Sequence, residues 1–267
     1  MALKKLSVPE EAVIRKDFHD IWDSKMARST LITVSLMLVI AIPVIFLIII
    51  VNTPANQING ADKLMKMLPP SAQNFNLKQA TFYIMTNSLF PMFFLMIPLM
   101  SSSVTAACSF VGKREHGTLE TLLLTPMKPK QLFGAKVKGC VMLSAVITAI
   151  SFAAFAIVTS VGDILLHLPF FFSWSWLVLI LLFAPAVTVL GVMFMVLASA
   201  KSKSYVEAVQ TSGYIVIPLI LLFLGEFVGL FALNAVVFLI ISAVIIVLDV
   251  IIGEIAARSF RMEKLLK

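Results

Sequence analysis

The sequence predicts an all-α polytopic membrane protein with six transmembrane helices, an N-terminal interfacial amphipathic helix and a short cytosolic amphipathic helix between the second and third spans. Three observations carry that expectation. Hydrophobic residues fill 60% of the 267 positions and charged residues only 13%, at a mean hydropathy of +1.02, whereas soluble domains carry about 25% charged residues. A water-soluble fold cannot hide so much apolar surface, so the bilayer is the solvent. Six apolar runs each approach the ~20 residues that cross a ~30 Å hydrocarbon core. On that layout Lys and Arg divide 18 to 3 between the two sides, which accounts for all 21 and leaves none inside a span. The positive-inside rule makes the richer side cytosolic and places both termini there. The net charge of +7 is therefore a topology signal and requires no nucleic acid.

Residues 1–29 are amphipathic. Ser7 and Glu10 form a capping-box pattern, and Pro9 suits a first helical turn. Ile14, Phe18, Ile21 and Trp22 line one face, while Arg15, Lys16, Asp17, Asp20 and Lys25 occupy the rest. Trp22 and the basic residues favour a helix along the cytosolic membrane surface, with packing on a partner protein as the alternative. The first span covers about 30–51. Residues 52–80, rich in Asn, Gln and Pro, form an outer loop in which Ala61, Leu64, Met65 and Leu68 are helically spaced.

The second span, about 82–106, contains Pro91 and Pro98 seven residues apart and hence near one face. They bend the helix and free carbonyls, which is tolerated only where a neighbour or cavity satisfies them. Ser101, Ser102 and Ser103 through Ala107 are small and polar, as close helix packing requires. The third span, about 139–161, leads to a short outer loop with Asp163, His167 and Pro169. Trp174 and Trp176 mark the membrane interface at the start of the fourth span, about 174–199. Lys201 and Lys203 follow in a short inner loop. The fifth span is about 206–224, with Gly225, Glu226 and Gly229 in a tight outer turn, and the sixth is about 231–252 before a charged tail, 253–267. Pro91, Pro98, Glu207, Pro218 and Glu226 are the candidate pathway or gate residues. Cys108 and Cys140, near cytosolic span ends, read as small hydrophobes in a reducing compartment. The N-terminus does not read as a cleavable signal peptide, since its apolar run is too long and no small-residue cleavage site follows.

The most elaborate polar segment is the central cytosolic stretch, 112–138, GKREHGTLETLLLTPMKPKQLFGAKVK. Gly117 releases the backbone and Thr118 is an N-cap candidate. Glu120 then falls in the first turn, at the positive end of the helix dipole. Leu119, Leu122 and Leu123 form an apolar stripe at i, i+3 and i+4, and Pro126 and Pro129 stop the helix. So short a helix needs a partner to cover its leucines. That partner is either a protein groove or the lipid surface, where Lys113, Arg114, Lys128 and Lys130 flank it.

Enzyme signatures are missing from the sequence. It has no G-x-x-x-x-G-K-[ST] phosphate loop, no H-E-x-x-H, no Cys/His cluster and no G-x-S-x-G elbow. His19, His116 and His167 all lie outside the predicted spans. Ionisable groups near the midplane, which a proton-coupled pump needs, are also lacking, since Glu207 and Asp249 fall near cytosolic span ends.

The stretch KREHGTLETLLLTP, Lys113 to Pro126, resembles the E-x-G-T-L-E-x-L-L-x-x-P signature of ABC-2 type permeases, the membrane subunits of ATP-binding-cassette exporters. Glu115, Gly117, Thr118, Leu119, Glu120, Leu122, Leu123 and Pro126 all match it. KDFHDIW at 16–22 resembles the family's connector helix, with Phe18, Ile21 and Trp22 as its apolar anchors, and EAVQTSGYIVIP at 207–218 is similar to its fifth span. The resemblance implies that Lys113, Arg114 and the signature residues form a coupling helix docked on a separate ATPase subunit. It also implies two ATPase copies holding ATP and Mg, a second permease of the same or a related chain, no cofactor on this chain, and a bacterial plasma membrane. The outer loop of about 29 residues departs from branches that insert a large domain there. The spans carry Ser, Thr and Asn but little charge, which favours an amphipathic peptide, lipid or drug. An ion would require oxygens such as those of Asn87, Thr148, Ser151 and Asn234. A non-transporting scaffold or sensor that recruits a cytosolic partner is the alternative function.

Overall fold

The structure, a computed structural model, describes residues 8–54, 68, 72, 74–112, 129–199, 202, 204–228 and 234–259. Among these the regular elements are all helical. An amphipathic α1 (Val8–Asp23) precedes α2 (Lys25–Asn52), α3 (Leu77–Val111), α4 (Pro129–Leu166), α5 (Trp174–Ser199), α6 (Val206–Glu226) and α7 (Ala235–Ser259). The six helices from α2 to α7 are long and apolar enough to cross a membrane. α1 packs against the end of α3 and the start of α4, which lie at one end of the bundle, here termed the α1 side.

Helix ends differ from the hydropathy boundaries for a common reason: polar residues extend helices beyond the apolar core. α4 is 38 residues long, ~57 Å at 1.5 Å per residue. Pro129 opens it, in keeping with proline's fitness for the first helical turn; the helix that Pro126 and Pro129 are expected to stop lies outside the described residues. The amphipathic N-terminal helix ends at Asp23, because the Ser24 side chain caps a new helix by accepting a bond from the Ala27 N–H at 3.4 Å. Lys25 thus belongs to α2. Gly225 and Glu226 are helical, not part of a turn, since that helix continues to Val228, and the first tail residues continue α7 to Ser259. Of the helically spaced residues in the outer loop, only Leu68 is described, and it is buried; Ser7 and the Glu10 side chain lie outside the described residues.

α3 is the central helix and is buried along most of its length. Its small residues permit this. A methyl group on Gly191 of α5 would overlap Ser102 Oγ and lie 3.3 Å from the Leu99 carbonyl, so the two backbones approach where both chains are smallest. Three helices carry a wide π turn directly before a proline: Met37–Ala41 before Pro43, Met85–Leu89 before Pro91, and Leu179–Phe183 before Pro185. A proline donates no N–H and its ring presses on the carbonyl four residues back, and the wider turn relieves that contact. Pro98, by contrast, lies inside a regular stretch of α3.

Side chains from neighbouring helices satisfy orphan carbonyls at helix C-termini. On the far side Lys78 Nζ donates to the Val51 carbonyl at 2.7 Å, and Gln79 Nε2 to the Leu166 carbonyl at 2.8 Å. α4 then closes in a Schellman motif. Leu168 N–H bonds the Asp163 carbonyl (2.8 Å) and His167 N–H that of Ile164 (3.3 Å), with His167 at φ 54° in the left-handed position usually given to glycine. Asp163, expected in a loop, is the buried helical residue whose carboxylate accepts the Phe171 N–H at 2.9 Å. Around it Phe82, Phe90, Phe94, Phe152, Phe155, Phe171 and Trp176 form an aromatic core. Trp174 is 69% exposed as an interfacial residue should be, but Trp176 is buried in this core, where ring packing overrides the interfacial preference of tryptophan.

Candidate functional site

Every residue of the predicted coupling set, Lys113, Arg114, Glu115, Gly117, Thr118, Leu119, Glu120, Leu122, Leu123 and Pro126, lies outside the described residues. The structure does describe the ground from which that segment springs. α3 ends in a π turn, Cys108–Gly112, and α4 begins at Pro129. Between these two ends, and under α1, lies a buried polar cluster.

Its members are Asp17 of α1, Ser109 of α3 and Lys136 of α4, each no more than 2% exposed. Ser109 Oγ donates to Asp17 Oδ2 at 2.8 Å. Lys136 Nζ donates to the Ser109 carbonyl at 2.7 Å and to Ser109 Oγ at 3.2 Å, and stands 3.6 Å from Asp17 Oδ2. The ammonium also lies 5.4 Å from the centre of the Phe110 ring, a cation–π distance. The position has a local cause. The last carbonyls of α3 have no partner within the helix and carry the negative end of its dipole, so a cation there is favoured twice. Asp17 then balances the charge, and Ser109 links the two ions by hydrogen bonds. One turn deeper, Thr105 Oγ1 and Ser144 Oγ lie 3.0 Å apart and join α3 and α4 again.

Apolar contacts hold α1 over this cluster. Ile14 packs on Gly139, where a methyl would meet its side chain at 3.5 Å. Ile21 is buried with Ala27, Leu31, Val104 and Leu143. The expected single apolar face of α1 is therefore divided. Ile14 and Ile21 face the bundle together with Asp17, while Phe18 and Trp22 point outward, 46% and 45% exposed, and stack at 6.4 Å. Asp17, assigned to the polar face from sequence, and Lys136, counted there as a loop cation, are both buried.

The candidate gate residues are not brought together. Pro91 and Pro98 are buried in α3, whereas Pro218 is exposed on α6. Glu207 is exposed in the first turn of α6, and Glu226 is buried at its other end, ~28 Å away along the helix. Nor do the oxygens considered for an ion converge. Asn87 and Thr148 bond carbonyls of their own helices, and Asn234 Oδ1 caps α7 by accepting the Val237 N–H at 3.0 Å. Among the described residues no group of three or more His, Cys, Asp or Glu side chains is placed to hold a metal ion.

A six-span helical bundle with an amphipathic helix packed over a buried charge pair defines a multi-pass membrane protein. The chain belongs to the ABC-2 transporter family: the family described as ABC-2 family transporter protein matches residues 12–239, which include Asp17, the 113–128 segment and Lys136. It is thus a membrane permease component of an ABC-type transport system. No curated protein matches the chain.

Proposed function

We propose that this chain is the permease subunit of an exporter in which residues 113–128 dock on a separate ATPase subunit. Two permease chains, identical or related, form the pathway, and two ATPase subunits bind ATP and Mg. The observation that carries the reading is the signature from Glu115 to Pro126, located between two helices whose ends are tied together by Lys136 and Ser109. A displacement of the segment moves α3, α4 and α1 as one body, because breaking the buried pair would strand a charge. The wide turns before Pro43, Pro91 and Pro185 supply points at which the spans bend during alternating access.

The excess of Lys and Arg on the α1 side makes it the cytosolic side, with both termini there, and the family resemblance favours a bacterial plasma membrane. The sparsely charged spans favour an amphipathic peptide, lipid or drug as cargo over a polyanion, and place an ion behind these.

Charge reversal at Glu115 or Glu120, or Leu122→Asp, is expected to abolish transport and release the ATPase while the chain still inserts at normal levels. Copurification of the ATPase at wild-type yield with these variants would overturn the docking assignment.

A further inference from the structure

A lateral groove opens between α2 and α4 on the α1 side of the bundle. Leu31, Val39 and Ser151 form its floor, each less than a tenth exposed, while Trp22, Ile40 and Ile150 stand at its rim. Its volume is about 250 Å³ and its lining is almost wholly apolar. We propose that this groove binds one acyl chain of an anionic phospholipid from the leaflet on the α1 side, with the phosphate held at the mouth by Arg28.

Depth, shape and charge each select that occupant. The α2 part of the lining runs from Leu31 to Ile40, ~14 Å of helix, which matches the ~15 Å half-thickness of the hydrocarbon core. The groove therefore reaches from the headgroup level to the midplane and no further. Its volume falls below the ~300–1,000 Å³ of drug-sized pockets, so it suits a methylene chain better than a bulky amphiphile. A helix of a second copy, ~10 Å across, would rest on the rim at Ile40 and Ile150 without filling the floor.

The mouth carries the headgroup chemistry. Arg28 Nη1 donates to the Trp22 carbonyl at 3.5 Å, which holds the guanidinium beside a residue of the groove wall. Lys25 is exposed in the same first turn of α2, and Asp20 and Asp23 are exposed at the end of α1, so the cation set against the groove wall is Arg28 itself. Trp22 itself has the amphipathic ring that favours the headgroup level. A guanidinium pairs with phosphate in a bidentate geometry, and an anionic headgroup satisfies it better than a zwitterionic one.

The test uses the full-length chain in nanodiscs of equal phosphatidylglycerol and phosphatidylcholine, with retained lipid identified by native mass spectrometry after gentle delipidation. The wild-type chain is expected to keep one phosphatidylglycerol in preference to phosphatidylcholine. Arg28→Gln should reduce that preference about five-fold, the weight of one basic side chain at an anionic surface. Ala154→Phe, which fills the groove, should lose the retained lipid. Equal retention of the two lipids by the wild-type chain overturns the proposal, as does a preference that survives Arg28→Gln. Lipid retention unchanged in a folded Ala154→Phe chain, with altered subunit stoichiometry, assigns the groove to a second copy instead. The readout does not involve the ATPase, so it stands or falls apart from the docking of residues 113–128.

Discussion

On the α1 side, α3 and α4 are joined by a handful of directional polar bonds: Thr105 to Ser144, Ser109 to Lys136, and both ions to each other through Ser109. On the far side the same two helices meet through rings, with Phe90 and Phe94 of α3 against Phe152 and Phe155 of α4, wedged by Phe171 and Trp176. The ring centroids of the α3–α4 pairs lie 5.7 to 6.2 Å apart. The contrast follows from what each end must do. In lipid no hydrophobic force drives helices together, so rings contribute packing that is spread over many partners and degrades gradually. The polar end is specific in register and fails at a single point, because removing one ion leaves the other buried. That end lies at the root of the segment through which the ATPase is proposed to act.

The contrast can be broken by substitution, beginning with the largest effect. Lys136→Met should lower the unfolding free energy in mixed micelles by about 3–5 kcal/mol, the cost of stranding Asp17. Combining it with Asp17→Leu should recover most of that loss. If the double variant is as unstable as the sum of the singles, the pair is not a unit. Ser109→Ala removes a bond to each ion and should cost about 1.5–3 kcal/mol in the same measurement. Phe155→Ala sharpens the comparison from the other end. In water the truncation would cost ~3–5 kcal/mol, but with lipid as the reference the transfer contribution vanishes and about 1–2 kcal/mol of packing remains. A loss as large as that of Lys136→Met would show that the aromatic end carries the junction. The smallest effect is the coupling between Thr105→Ala and Ser144→Ala in a double-mutant cycle, about 0.6 kcal/mol.

The sequence foretold the number and order of the spans because apolar length is a direct physical requirement of the bilayer. The small residues at 101–107 pack as their size dictates. Residues whose neighbours decide their fate were harder to read. Asp17 looks solvated by composition, yet it falls three residues after Ile14 and four before Ile21, on the buried face of α1. Lys136 likewise lies among Phe133, Val137 and Cys140, all buried. Two opposite charges, each at a core register position, were the available signal, and charge counting by side conceals it. Trp176 and Trp174 share a residue type and an aromatic context, and only the position of Phe94 and Phe155 in space separates them. The prolines were visible, but a wide turn before a proline depends on the carbonyls of the preceding helical turn and leaves no mark in composition.

The most direct measurement is purification of the tagged full-length chain in gentle detergent, with its companions identified by mass spectrometry and assayed for ATP hydrolysis. The account predicts an ATPase subunit of about 25–35 kDa, one domain or slightly more, in a 1:1 ratio with the permease. A well-folded chain recovered without any ATPase would contradict it.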